Sequence, residues 1–136
     1  MPHVTPQSVS AGTVSFVALN HGTVTHEPIV LPLASSAAPG SRTVGAGNRV
    51  SEDGSLGEAS NDRAASAGEG IAPGHATWAT MVLKPGRYEV VCNLPGHYAA
   101  GMYASWTSHD SPATRALAER APSPGDAERG LAATAG

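Results

Sequence analysis

Apolar and polar positions alternate in two parts of the chain and lose all pattern between them. In "GTVSFVAL", Gly12 to Leu19, Val14, Phe16 and Ala18 fall on one face and Ser15, Val17 and Leu19 on the other. That two-residue period predicts a half-buried β-strand. "NHG", Asn20 to Gly22, then turns the chain, and "PIVLPL", Pro28 to Leu33, reads as a second strand. Proline has no N–H for a ladder, so Pro28 and Pro32 place that strand at an edge or split it. The pattern returns in "TWATMVLKPGRYEVVC". Here Thr77 to Lys84 is a strand, Pro85-Gly86 a tight turn, and Arg87 to Cys92 the returning strand, with Tyr88, Val90 and Cys92 on one face. "MYASWT" is a last strand that aligns Met102, Ala104 and Trp106. Trp78 and Trp106 are both expected in the core.

The intervening stretch, residues 34–74, offers only Val44, Val50, Leu56 and Ile71 as larger apolar anchors. Its second half carries Glu52, Asp53, Glu58, Asp62 and Glu69 against Arg63. It reads as a long, mildly acidic, irregular insertion, with a short helix around Gly57 to Ala65. Structureless stretches of such length are uncommon inside compact domains. From His109 the chain turns to Ala, Ser, Pro, Arg, Glu and Gly, with Leu117 and Leu131 its only leucines. A helix over Thr114 to Arg120 would have nothing to bury, so residues 109–136 are expected to be a disordered tail. Residues 1–108 are then a single all-β domain, a β-sandwich or Greek-key barrel.

Composition narrows the function. Sixteen glycines, 11 prolines and 4% aromatic residues in 136 suit short strands and many turns. A net charge of −3 without a Lys/Arg cluster argues against nucleic acid. The longest apolar run, "PIVLPLA", is far short of the ~20 residues of a membrane span. "MPHVTPQSVS" has neither a basic start nor an apolar stretch, so no signal peptide is visible. The lone cysteine, Cys92, excludes an intrachain disulfide.

That cysteine opens "CNLPGHYAAGM", which places Cys92, His97 and Met102 at equal spacing around a Pro95-Gly96 turn. A lone cysteine is ordinarily a small buried hydrophobe, and a lone methionine a core filler. Together on one inter-strand loop, with a second histidine from elsewhere, they form the donor set of a blue-copper site: two imidazoles and a thiolate in a plane, with a weak axial thioether. The second histidine is expected to be His26, which ends a turn just before the strand at Pro28. His21 is the next choice, at a turn tip, ahead of His3, His75 and His109. Asn93 and Thr25 are candidates for steadying the ligand segments. Tyr98 and Tyr103 either cover the loop or form a docking surface.

With these residues in view, "GTVSFVALNHGTVTHEPIVLPL" followed by "KPGRYEVVCNLPGHYAAGMY" resembles the cupredoxins, small blue-copper proteins. The nearest likeness is to their sulfocyanin-like branch. It rests on the Cys92, His97 and Met102 spacing and on Asn20, Gly22, His26 and Glu27 upstream. The resemblance implies a cupredoxin fold and one mononuclear type 1 copper held by His26, Cys92, His97 and Met102. It implies electron transfer to a redox protein partner by transient contact, from a monomer working in the periplasm or outside the cell. A site whose positions are all filled by protein has no open position for catalysis, so the chain is not expected to be an enzyme. A copper carrier or chaperone without an electron-transfer role is the alternative. About ten residues precede Gly12, so the fold is expected to lack its first strand and to leave an edge unpaired. The stretch Glu52 to Glu69 is expected to be dispensable for the copper site.

Overall fold

The computed structural model describes residues 2–59, 70–112 and 115–116. Its strands are β1 (Ser8–Ser10), β2 (Gly12–Leu19), β3 (Pro28–Leu33), β4 (Gly57–Glu58), β5 (Ala76–Leu83), β6 (Gly86–Cys92) and β7 (Tyr103–His109). A five-stranded sheet runs in the order β1-β7-β6-β3-β4, and β2 pairs with β5 in a second sheet. The larger sheet curls as a half-barrel. β2 and β3 span the residues that the sequence predicts. Where the sequence suggested a helix from Gly57, Gly57–Glu58 is instead an edge strand, pairing with Ile29 and Val30 of β3. The remainder of that expected helix, from residue 60, lies outside the described residues. So does the tail expected from His109 on, beyond residue 116, and with it most of the helix expected over Thr114 to Arg120.

Two features of the layout differ from expectation. Residues ahead of Gly12 do form a strand: β1 runs parallel to β7, with Ser8 opposite Thr107. Gly12, at φ +121°, then carries the chain from the large sheet to the small one, a backbone angle open to glycine. β3, for all its prolines, is not an edge strand but lies between β6 and β4. The ladder explains how this is tolerated. Val30 O accepts from Leu56 N–H and Pro28 O from Ala59 N–H, so residues 28, 30 and 32 turn their backbone polar groups toward the β4 side. β4 pairs with only Ile29 and Val30, and the missing N–H groups of Pro28 and Pro32 disturb no bond to β6.

The large sheet is buried on both faces. On the inner face Val30, Tyr88, Val90 and Trp106 meet Met81 and Leu83 of β5 and, less deeply, Val14 and Phe16 of β2. Trp106 stacks between Phe16 and Tyr88, with centroids 5.7 and 5.8 Å away. On the outer face Ile29, Leu31 and Val91 are covered by Val50 and Tyr98. Each fully buried side chain of this size contributes about 1.5–3 kcal/mol, so residues near Val50 help to fill a second core. The small sheet has one dry face only. Val17, Leu19, Trp78 and Val82 all lie on its outer side. Trp78, expected in the core, is 50% exposed because β5 turns Thr77, Met81 and Leu83 inward and the alternation leaves Trp78 outside.

The segment following β3 is held tightly. Gly40 has φ +78°, and a Cβ there would fall 2.3 Å from the Tyr103 ring. Gly47 has φ +71° with open space around it. Gly47→Ala is therefore expected to cost about 1–2 kcal/mol, the strain of the left-handed conformation alone. Gly40→Ala should cost clearly more, because Tyr103 must also move. Urea unfolding of the two variants side by side checks the difference.

Candidate metal centre

The site is built where β3 and β6 lie side by side. Their antiparallel register sets Pro28 opposite Cys92, so the residue two before Pro28 meets the end of β6. That residue is His26. Its Nδ1 is 3.6 Å from Cys92 Sγ. The turn after Cys92 brings His97 back, with its Nδ1 3.2 Å from the same sulfur. The two imidazoles meet edge to face, centroids 5.3 Å apart at 65°. One donor atom from each of His26, Cys92 and His97 lies within 4.8 Å of the others. Backbone bonds from Met102 close the loop: Cys92 N–H donates to Met102 O at 2.9 Å, and Met102 N–H to His97 O at 3.1 Å. Two imidazoles and a thiol converge here and Met102 closes the same loop; imidazole, thiolate and thioether are soft to borderline donors, a set that suits copper.

The remaining histidines stay apart. His3 Nε2 meets Thr5 Oγ1, His75 Nδ1 faces Pro73 O, and His109 Nδ1 faces Asp110 O. His21 is exposed at its turn tip. The preference for His26 over His21 therefore has a geometric counterpart.

Backbone groups hold the donors in place. Glu27 N–H donates to Cys92 Sγ at 3.3 Å, and Asn93 N–H donates to Glu27 O at 3.1 Å, extending the β3–β6 ladder past the cysteine. His26 exchanges two backbone bonds with Ile71, at 3.2 and 2.6 Å. Asn20 fixes the turn before it, donating from Nδ2 to Val24 O and Ile71 O and accepting from Gly22 N–H. A Cβ on Gly22 would lie 3.3 Å from His26 Nε2, so this turn leaves little room beside the imidazole.

Asn93, expected to steady the loop, does so through the insertion. Its Oδ1 accepts Val50 N–H, and its Nδ2 donates to Val50 O and to Glu52 Oε1, the last at 2.7 Å. Gly96 N–H donates to Asn48 O at 2.8 Å. Residues 48–52 thus clamp the ligand loop, and the stretch expected to be dispensable begins at a residue, Glu52, that bonds Asn93. Thr25 does not bridge the two ligand segments. Its methyl lies beside Gly70, and Glu27's backbone makes the bridge instead. Tyr98 and Tyr103 cover the loop, with rings 5.3 Å apart and Tyr98 buried. Val50 and Ile71, legible in the sequence only as apolar anchors, are themselves the residues whose backbones bond the ligand segments, a role that no local pattern marks.

Burial shapes the electrostatics. It pushes the Cys92 thiol above its ordinary value, opposed by the amides of Glu27 and Leu94. It pushes the imidazole of His26 down, helped by the nearby charge of His97. Glu27, 1% exposed and with Oε2 unpaired, is raised by burial and then by Glu58.

No protein-family model matches the chain. No curated protein matches it by sequence. Solved structures do. Reduced rusticyanin aligns with TM-score 0.52 and 20% identity over 75% of this chain and 61% of that one. A second structure of rusticyanin, a copper protein, aligns with TM-score 0.52 and 20% identity over 75% of this chain and 60% of that one. Dithionite-reduced auracyanin from Roseiflexus castenholzii aligns with TM-score 0.50 and 16% identity over 77% of this chain and 86% of that one. The chain thus spans about three-fifths of the rusticyanin length. The likeness is one of fold, the cupredoxin fold.

In the metal-free chain His26 is expected to titrate below 6.5, as read from its ring protons by NMR. The unfolded imidazole takes up a proton near 6.5 that the folded one refuses, so His26 costs the fold stability as the pH drops through that value. With a chelator present, wild type should lose more stability than His26→Gln between about pH 7.5 and about pH 5.5.

Proposed function

We propose that the chain is a blue-copper electron carrier, cycling one copper between Cu(I) and Cu(II) at His26, Cys92, His97 and Met102. The observation that carries this reading is the convergence of two imidazole Nδ1 atoms on one buried thiol, at 3.6 and 3.2 Å, with Met102 closing the same loop. Bound there, copper would supply one-electron exchange with little rearrangement, because the donor set suits both oxidation states. The protein's part is to fix the donors. The amides of Glu27 and Leu94 face the sulfur and offset its charge as a thiolate, while Ile71 and Asn20 hold the His26 segment.

Several further features belong to this reading. The resemblance of fold to rusticyanin and auracyanin, both seen in reduced form, supports a redox role. The loop spacing and the Asn20 to Glu27 segment favour the sulfocyanin-like branch. Electrons would pass through the half-buried edge of His97, beside exposed Pro95, Ala99 and Ala100, to a redox protein in a brief contact. The copper-binding unit would be residues 1–108, acting as a monomer in the periplasm or outside the cell, and not as an enzyme. Among the described residues no helix is long and apolar enough to cross a membrane. A carrier that exchanges copper readily would need a more open thiol, whereas Cys92 is 5% exposed and hydrogen-bonded.

Copper titration of the metal-free chain tests the proposal. An intense thiolate-to-copper visible band should saturate at one equivalent, bleach with a reductant and return on reoxidation. Cys92→Ser should abolish the band. A colourless complex, or one that does not cycle, would reject electron transfer. Binding should also release a proton, since the raised thiol must ionise to ligate, so apparent affinity should rise with pH from neutrality toward the thiol's value.

A further inference from the structure

Tyr98 directly follows His97 and is 3% exposed. Its hydroxyl accepts the backbone N–H of Arg42 at 3.0 Å. Arg42 is itself anchored, with Nε donating to Glu89 Oε2 at 2.7 Å and Nη2 donating to Pro32 O. The other carboxylate oxygen, Glu89 Oε1, accepts Gly40 N–H at 2.7 Å. Glu89 lies on β6 three residues before Cys92 and is 0% exposed. Both oxygens of one fully buried carboxylate are therefore spent on residues 40–42, and residues 40–42 reach the ligand loop at Tyr98.

Stability alone does not account for this arrangement. A buried ion pair is costly to desolvate, and apolar residues of similar volume commonly serve a core as well or better. What a carboxylate gripping two donors adds is direction: it fixes residues 40–42, as a strap, relative to β6, the strand that carries Cys92. The strap then presents one N–H to the residue next to His97. The same sheet thus locates Cys92 directly and the His97 segment by way of the strap.

We propose that Glu89, Arg42 and Tyr98 are positioning residues for the candidate metal centre, holding the His97 segment in register with Cys92. The assignment rests on the copper reading for its purpose, but the clamp is made of the chain's own residues and can be measured without metal. Tyr98→Phe keeps the ring and its burial and removes only the acceptor. Arg42→Lys keeps the backbone N–H and a positive charge but loses the forked hold on Glu89 and Pro32.

The first arm is amide hydrogen exchange on the metal-free chain. Tyr98→Phe should speed exchange at His97, Ala100, Gly101 and Met102 by about three- to tenfold, the worth of one net hydrogen bond, without an equal change in β5. Arg42→Lys should shift the same amides in the same direction. Leu83→Ala, a cavity variant in the inter-sheet core, serves as the comparison. It should lower global stability without singling out the loop. The second arm is the copper-loaded chain, where Tyr98→Phe should change the EPR splitting and the reduction midpoint and speed copper release, and Leu83→Ala should leave the EPR splitting as it is. Wild-type loop exchange and a wild-type EPR signature in both Tyr98→Phe and Arg42→Lys would overturn the proposal. If wild type forms no thiolate-copper band, the blue-copper reading fails, and the exchange arm still decides whether the clamp holds the loop.

Discussion

The antiparallel register of β3 against β6 is the constraint on which the site depends. Pro28 opposite Cys92 places His26 beside the thiol. The ladder then continues through Glu27 and Asn93, so that one amide reaches the sulfur and another holds the chain beyond it. A slip of one residue would turn every side chain of a strand to the other face. A slip of β3 would send Ile29 and Leu31 into the inter-sheet core and carry His26 away from Cys92. The register that satisfies two cores is the register that assembles the donors.

Two buried faces on one sheet also explain the long segment between β3 and β5. The small sheet covers the inner face, but the outer face presents Ile29, Leu31, Val91 and the carboxylate of Glu89. Water is excluded there by residues 40–50, with Val50 filling space and Arg42 neutralising Glu89. A segment with few apolar residues can form such a cover because much of its hold is polar: Gly40 N–H and Arg42 on Glu89, Val50 on Asn93, Asn48 on Gly96. The cover and the ligand loop then support each other.

The hydrogen bonds around the thiol point in one functional direction. A buried thiol resists ionisation, and the amides that face it are the groups that would favour the thiolate once a cation is present. Burial likewise keeps His26 neutral, the form that ligates. The packing that buries the thiol and the imidazole of His26 also brings them together.

The sequence by itself determined β2, β3, β5, β6 and β7 and named the residues of the candidate metal centre. Strict alternation over Gly12–Leu19 and the apolar Pro28–Leu33 run marked β2 and β3 to the residue, because a two-residue period is a local property of the pleat. Cys92, His97 and Met102 were legible because three rare donors on one short loop need no distant partner to be recognised. His26 was legible from its place before a buried strand. What only the tertiary structure decided were relations between segments far apart in sequence. The strand at Ser8–Ser10 exists because β7 offers it an edge, and β3 is central because its prolines face the side that β4 covers only in part. Trp78 lies outside because no third layer covers the small sheet's outer face among the described residues. The irregular stretch carries no period because its bonds run from backbone to single side chains, Glu89, Asn93 and Tyr98, and such one-to-one contacts leave no repeating mark along the chain.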